Sequence, residues 1–140
     1  MKTIIELSEN EKRALDLLTY SETAEKFNFD EQRNINIWIA NNLLYLYYAV
    51  IVRLQKKFNV KINSGYRCYR TNNHIKGAIL SQHTKGYAAD ITCDDLSGMW
   101  EALQDMEVDQ AIKYKTFIHV SYCMDRKNRN QYIDKTLTTK

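Results

Sequence analysis

A chain of 140 residues, 44% hydrophobic and 26% charged, supports one domain and not two ordinary ones. Folding at this size removes roughly 65–70% of the unfolded chain's surface, so a core can form without disulfides. Lys and Arg number 20 against 17 Asp and Glu, a net of +3 that excludes a dedicated nucleic-acid binder, and 11% aromatic residues exclude a disordered chain.

The opening MKTIIELSENEK turns acidic after five residues without an apolar run, so no secretory signal is expected. Ser8 with Glu11 three residues on forms a capping box ahead of Ala14, Leu15, Leu17 and Leu18, predicting a first helix. Ser21 and Glu22 cap a second, short helix over 23–27. A third spans about 35–58, with Ile35, Trp38, Ile39, Leu43, Leu46, Val50 and Leu54 on one buried face. Asn36, Asn41 and Asn42 interrupt its apolar stretch, so it reads as a core helix and not a membrane span. Proline is absent and all four glycines lie between Gly65 and Gly98, which places the tight turns in the middle of the chain.

Past Phe58 the period changes to two. Strands are expected over 60–64, 87–92, 108–114 and 117–122, with a short helix over 96–106. Ala89 and Ile91 share one face of the second strand, with Asp90 and Thr92 on the other. In the last strand Ile118, Val120 and Tyr122 form the core face, turning Phe117, His119 and Ser121 away from it. Helices first and strands later predict an α+β domain, with N-terminal helices packed on a small antiparallel sheet. The organisation is a single domain over 1–140: a helical lead-in over 1–58, a chemistry-bearing region over 59–124, and a basic, loosely packed tail over 125–140.

Three cysteines, Cys68, Cys93 and Cys123, make an odd count with no CxxC pair, which argues against a disulfide framework or a Cys-rich zinc site. Buried free thiols are expected, although alternation puts Cys123 on the face of His119. Three histidines are present. His83 precedes a strand, Asp90 lies on that strand's non-core face, and His119 lies on the non-core face of another. Two imidazoles and a carboxylate converging from adjacent strands leave a fourth position open, as in a catalytic zinc site. The same set also suits a non-haem Fe(II) facial triad, and spacing does not separate the two.

Ser64-Gly65-Tyr66-Arg67, Asn72, Gly77-Ala78 and the run from Ser81 through His83 and Gly86 to Asp90-Ile91 resemble the core motif of the D-alanyl-D-alanine carboxypeptidase family of zinc peptidases. The resemblance is to the compact domain common in bacteriophages. Val108 to Ile112 and Phe117 to Tyr122 resemble its second block, and the likeness runs from about Thr19 to Tyr122. It implies the fold shared with the Hedgehog signalling domain, and one zinc ion held by His83, Asp90 and His119. Arg67 is then placed at the pocket edge to hold a substrate carboxylate or polarise the scissile carbonyl, the alternative being a surface ion pair. His74 matches no ligand and reads as a surface residue, and Gly77 and Gly86 permit the turns around the ligand loop.

Better-known members carry a Glu three residues before the last His ligand, where this chain has Thr116. Tyr114 and Lys115 occupy the other place where related domains carry one. Asp109, on the opposite face from Ile112, is the remaining candidate for the general base. The implied activity is cleavage of peptidoglycan stem peptides, of D,D-carboxypeptidase or L,D-endopeptidase type, by a phage cell-wall hydrolase. The implied partners are peptidoglycan stems and other virion proteins, with no nucleic acid or membrane, and the implied location is a virion or a host cytoplasm opened by lysis. The alternative is a non-catalytic virion or cell-wall-binding protein that keeps the fold.

Overall fold

The structure, a computed structural model, describes residues 6–136; the first five residues of the lead-in and the last four of the tail lie outside the described residues. Helix α1 (Glu9–Thr19) begins with the expected capping box: Ser8 Oγ accepts from Glu11 N and the Glu11 carboxylate accepts from Ser8 N. Helix α2 (Glu22–Lys26) is capped by Ser21. The long helix starts at an Asn36 cap as α3 (Ile37–Leu46), passes through one π turn (Tyr47–Ile51) and ends as α4 (Val52–Gln55). It is long and apolar enough to cross a membrane by length and composition. Its residues Leu43, Leu46, Val50 and Ile51 are nevertheless fully buried in the domain core. Each such side chain removed from water contributes roughly 1.5–3 kcal/mol. Trp38 departs from the expected face: it is exposed and meets Tyr87 edge-on.

Strands β1 (Lys61–Ser64), β2 (Ala88–Thr92), β3 (Gln110–Lys113), β4 (Ile118–Ser121) and β5 (Gln131–Asp134) form one sheet in the order β1-β2-β4-β3-β5. The first three pairings are antiparallel, as expected. The fourth differs, because β5 comes from the tail and runs parallel to β3, making the sheet mixed. The tail from Asp125 is therefore not loosely packed. Tyr132 donates to the Met106 carbonyl, and Asn128 and Asn130 accept from Cys123 N and Val108 N. Helix α5 (Tyr69–His74), capped by Cys68 Sγ, was not evident from periodicity because six residues are too few to show one. Helix α6 (Leu96–Gln104) lies where the 96–106 pattern put it.

The sheet has two unlike faces. Ala89, Ile91, Ala111, Ile118 and Val120 pack into the core with the helices. Asp90 and His119 are cross-strand partners, as are Ile112 and His119, so these three share the other face. This corrects the face expected for Ile112, and a continuous β3 would then turn Asp109 toward the core. Asp109 escapes that parity because it lies just ahead of β3, with its N–H bonded to the Ser121 carbonyl. All three cysteines are free, Cys68 and Cys123 being buried.

Candidate metal centre

The site is assembled from three segments: the loop after β1, the ligand loop before β2, and the centre of β2 and β4. His83 sits in a 3-10 turn (Gln82–Lys85) that ends at Gly86 with φ +78°, in the left-handed region that glycine enters without strain. Gly77 has another purpose. A Cβ there would lie 2.1 Å from Asn72 Oδ1 and 2.8 Å from Arg67 Nη1, so its bare Cα permits close approach and not a left-handed turn.

His83, Asp90 and His119 are all buried, and one donor atom from each lies within 4.8 Å of the others. Asp90 Oδ1 is 3.3 Å from His83 Nε2 and 3.1 Å from His119 Nδ1. The outer nitrogens explain why these particular atoms face inward. His83 Nδ1 is 2.8 Å from the Gly65 carbonyl, an acceptor, so the proton is on Nδ1 and Nε2 presents a lone pair. His119 Nε2 is 3.0 Å from Gln82 Oε1. His83 Nε2 is fully buried and has no hydrogen-bond partner among the described residues. A buried lone pair beside a carboxylate and a second imidazole fits a cation better than it fits a core.

Electrostatics agree. Burial lowers the His83 pKa, with Arg67 and His119 adding to the effect against Asp90, so the ring is held neutral as a ligand must be. Burial by itself would raise the Asp90 carboxyl, but its close approach to the His119 and His83 rings outweighs it and holds Asp90 well below the usual carboxylate range.

Arg67 is buried, not a surface ion pair. Its N–H donates to the His83 carbonyl, Nη1 donates to Asn72 Oδ1, and its Nε is buried without a partner. Burial lowers its pKa while the nearby Asp90 opposes the shift. An uncommitted buried guanidinium beside a metal-capable group can take an anionic or carbonyl oxygen.

Asp109 is brought close but cannot act as a base. It is fully buried, and its carboxylate accepts from Arg126 Nη1 and Nη2, Arg129 N, Nε and Nη2, and Gln82 Nε2. Burial raises its pKa, but the bonds from Arg129 and Arg126 win and hold it well below the usual carboxylate range. An anion so fully bonded has no lone pair to offer a water proton. Thr116 is exposed and its carbonyl accepts from Thr92 Oγ1.

Two residues that carry no chemistry of their own shape the site, and of these Gln32 gave no sequence signal. Gln82 bridges Asp109 and His119. Gln32, buried, donates to the Thr19 and Tyr66 carbonyls and accepts from Cys68 N, tying the lead-in to the loop that presents Gly65 and Arg67. A polar residue between polar neighbours gives no periodic signal, so only its burial reveals it. His74 is exposed, 4.4 Å from the Phe27 ring, and stands apart from the site.

Comparison with known proteins agrees with this geometry. A family model described as Peptidase M15 matches residues 12–121, a span that contains Arg67, His83, Asp90, Asp109 and His119. No curated protein matches the chain. A match over so much of the chain, with a buried His–Asp–His group inside it, establishes that the chain belongs to the peptidase M15 family of zinc-dependent metallopeptidases.

Proposed function

We propose that the chain is a zinc peptidase that cuts the peptide stems of bacterial peptidoglycan, as a D,D-carboxypeptidase or L,D-endopeptidase, in a phage-derived cell-wall hydrolase. The observation that carries the metal reading is the partnerless, buried Nε2 of His83 facing Asp90 and His119. These three residues would hold the ion by Nε2, a carboxylate oxygen and Nδ1. A bound zinc supplies a Lewis acid and a water of lowered pKa, near 7 in catalytic sites of this kind.

The chain's own groups do the rest. Gly65 and Gln82 keep the two rings in the ligating tautomer, and Asp90 stays ionised between them. Arg67, fixed by Asn72, binds a carboxylate or carbonyl oxygen of the peptide through its guanidinium and so orients the scissile bond.

A second reading, a non-catalytic virion or wall-binding protein that keeps the fold, is favoured by one observation: the positions considered for a base hold Thr116, Tyr114, Lys115 and a fully clamped aspartate. Mass spectrometry of peptidoglycan incubated with the zinc-loaded protein separates them. New fragments that disappear with chelator and in His83→Ala support the peptidase, and their masses name the bond. No fragments from several wall chemotypes, with zinc shown to be bound, support the second reading.

A further inference from the structure

We infer that Asp109 is a positioning residue for the metal centre: acting through Gln82, it sets the tautomer of His119. The inference rests on the metal-centre reading above. It starts from the fact that an ionised carboxylate only accepts hydrogen bonds. Asp109 Oδ2 lies 2.9 Å from the Gln82 amide group, so the end of Gln82 that faces it must be the NH2. The other end, Oε1, then faces His119 Nε2 at 3.0 Å, and an amide oxygen also only accepts. In its neutral form His119 must therefore carry its proton on Nε2, which leaves Nδ1 bare toward Asp90 at 3.1 Å.

Without Asp109 the opposite arrangement would win in the metal-free protein. A proton on Nδ1 would donate to Asp90, and Gln82 would turn over to donate to the bare Nε2. That flip points Gln82 Oε1 at Asp109 Oδ2, two acceptors 2.9 Å apart with no proton between them. Asp109 cannot yield by taking a proton or swinging away, because Arg126 and Arg129 grip both of its oxygens. The relay therefore keeps three lone pairs facing one another, a frustrated arrangement in the empty site that a cation relieves. This is preorganisation, in which the unfavourable geometry is imposed by folding and not at the moment of binding. It also makes the segment carrying Arg126 and Arg129 a contributor to the site, although neither residue reaches a ligand.

The test reads the tautomer directly. Protein labelled with 15N-histidine is prepared metal-free at a pH well above the usual histidine range, and long-range 1H–15N spectra report which ring nitrogen of His119 bears the proton. Wild type is expected to show Nε2–H. Gln82→Leu is expected to shift His119 toward Nδ1–H and to weaken zinc binding, measured by competition with a chromogenic chelator, by about 10–100-fold. Asp109→Asn is expected to do the same, but not when combined with Gln82→Glu, where residue 82 can no longer flip. If Asp109→Asn does not fold, Gln82→Leu decides alone. An Nδ1–H wild type, or a tautomer unmoved by Gln82→Leu, overturns the inference. A wild type that shows Nε2–H yet binds no zinc overturns the proposed function and leaves the relay standing.

Discussion

Gln32→Met isolates what one buried amide contributes, because methionine keeps the side chain's length and removes only its hydrogen bonding. Gln32 gives 2.9 Å and 2.7 Å bonds to the Thr19 and Tyr66 carbonyls and takes a 3.0 Å bond from Cys68 N, bridging up to 36 residues of chain. In the variant the Cys68 N–H loses this acceptor inside the protein, at a cost of about 1–3 kcal/mol, while each carbonyl loses about 0.5–1 kcal/mol. The sum is roughly 3 kcal/mol, about 10 °C in Tm for a chain of this size. That is a large share of a normal stability of about 5–15 kcal/mol, yet it leaves the protein folded. Urea titration followed by circular dichroism measures it. Because the same loop presents the Gly65 carbonyl to His83, zinc affinity should fall along with stability. A loss below about 1 kcal/mol, with zinc affinity unchanged, refutes the reading of Gln32 as the strap that holds this loop.

Two further perturbations test the surroundings of the site. The Asp109 carboxyl is lowered in the folded state, so its contribution is complete above the unfolded value of about 3.9 and drains away as pH falls through the folded value. Arg129→Gln removes the largest lowering influence, so urea midpoints followed from neutral pH downward should decline less steeply than in wild type; equal slopes would mean the clamp contributes nothing. Gly77→Ala drives a methyl into Asn72 and Arg67, both buried, and should cost about 1–3 kcal/mol in thermal denaturation. A variant as stable as wild type would show that the Arg67 pocket is not tightly packed.

The arrangement explains why the helical lead-in belongs to the site without contributing a ligand. Leu18 and Gln32 bond to the loop carrying Tyr66, whose neighbours Gly65 and Arg67 serve His83 through a carbonyl acceptor and a backbone donor. Helix α1 packs against α3 and β1, and its Leu18 carbonyl holds the loop whose Gly65 carbonyl meets the His83 imidazole.

Periodicity and alternation showed the local elements but misplaced Trp38 and Ile112. The capping box at Ser8, the apolar face of the long helix and the opposed faces of β2 and β4 all follow from neighbours a few residues apart, where backbone geometry leaves few choices. The shared face of Asp90 and His119 was legible for the same reason, since both are polar at positions whose flanking residues are apolar, whereas His83 came from the family resemblance. The relay was not legible. Gln82 meets Asp109 across 27 residues and His119 across 37, and Arg129 reaches Asp109 across 20. Nothing local distinguishes these glutamine and arginine side chains from solvated ones. The tail likewise reads as polar and basic until the open edge of β3 gives β5 a partner. A hydrogen bond depends on where two distant segments come to rest, and Asp109 ceased to be a candidate base only when folding placed two guanidinium groups upon it.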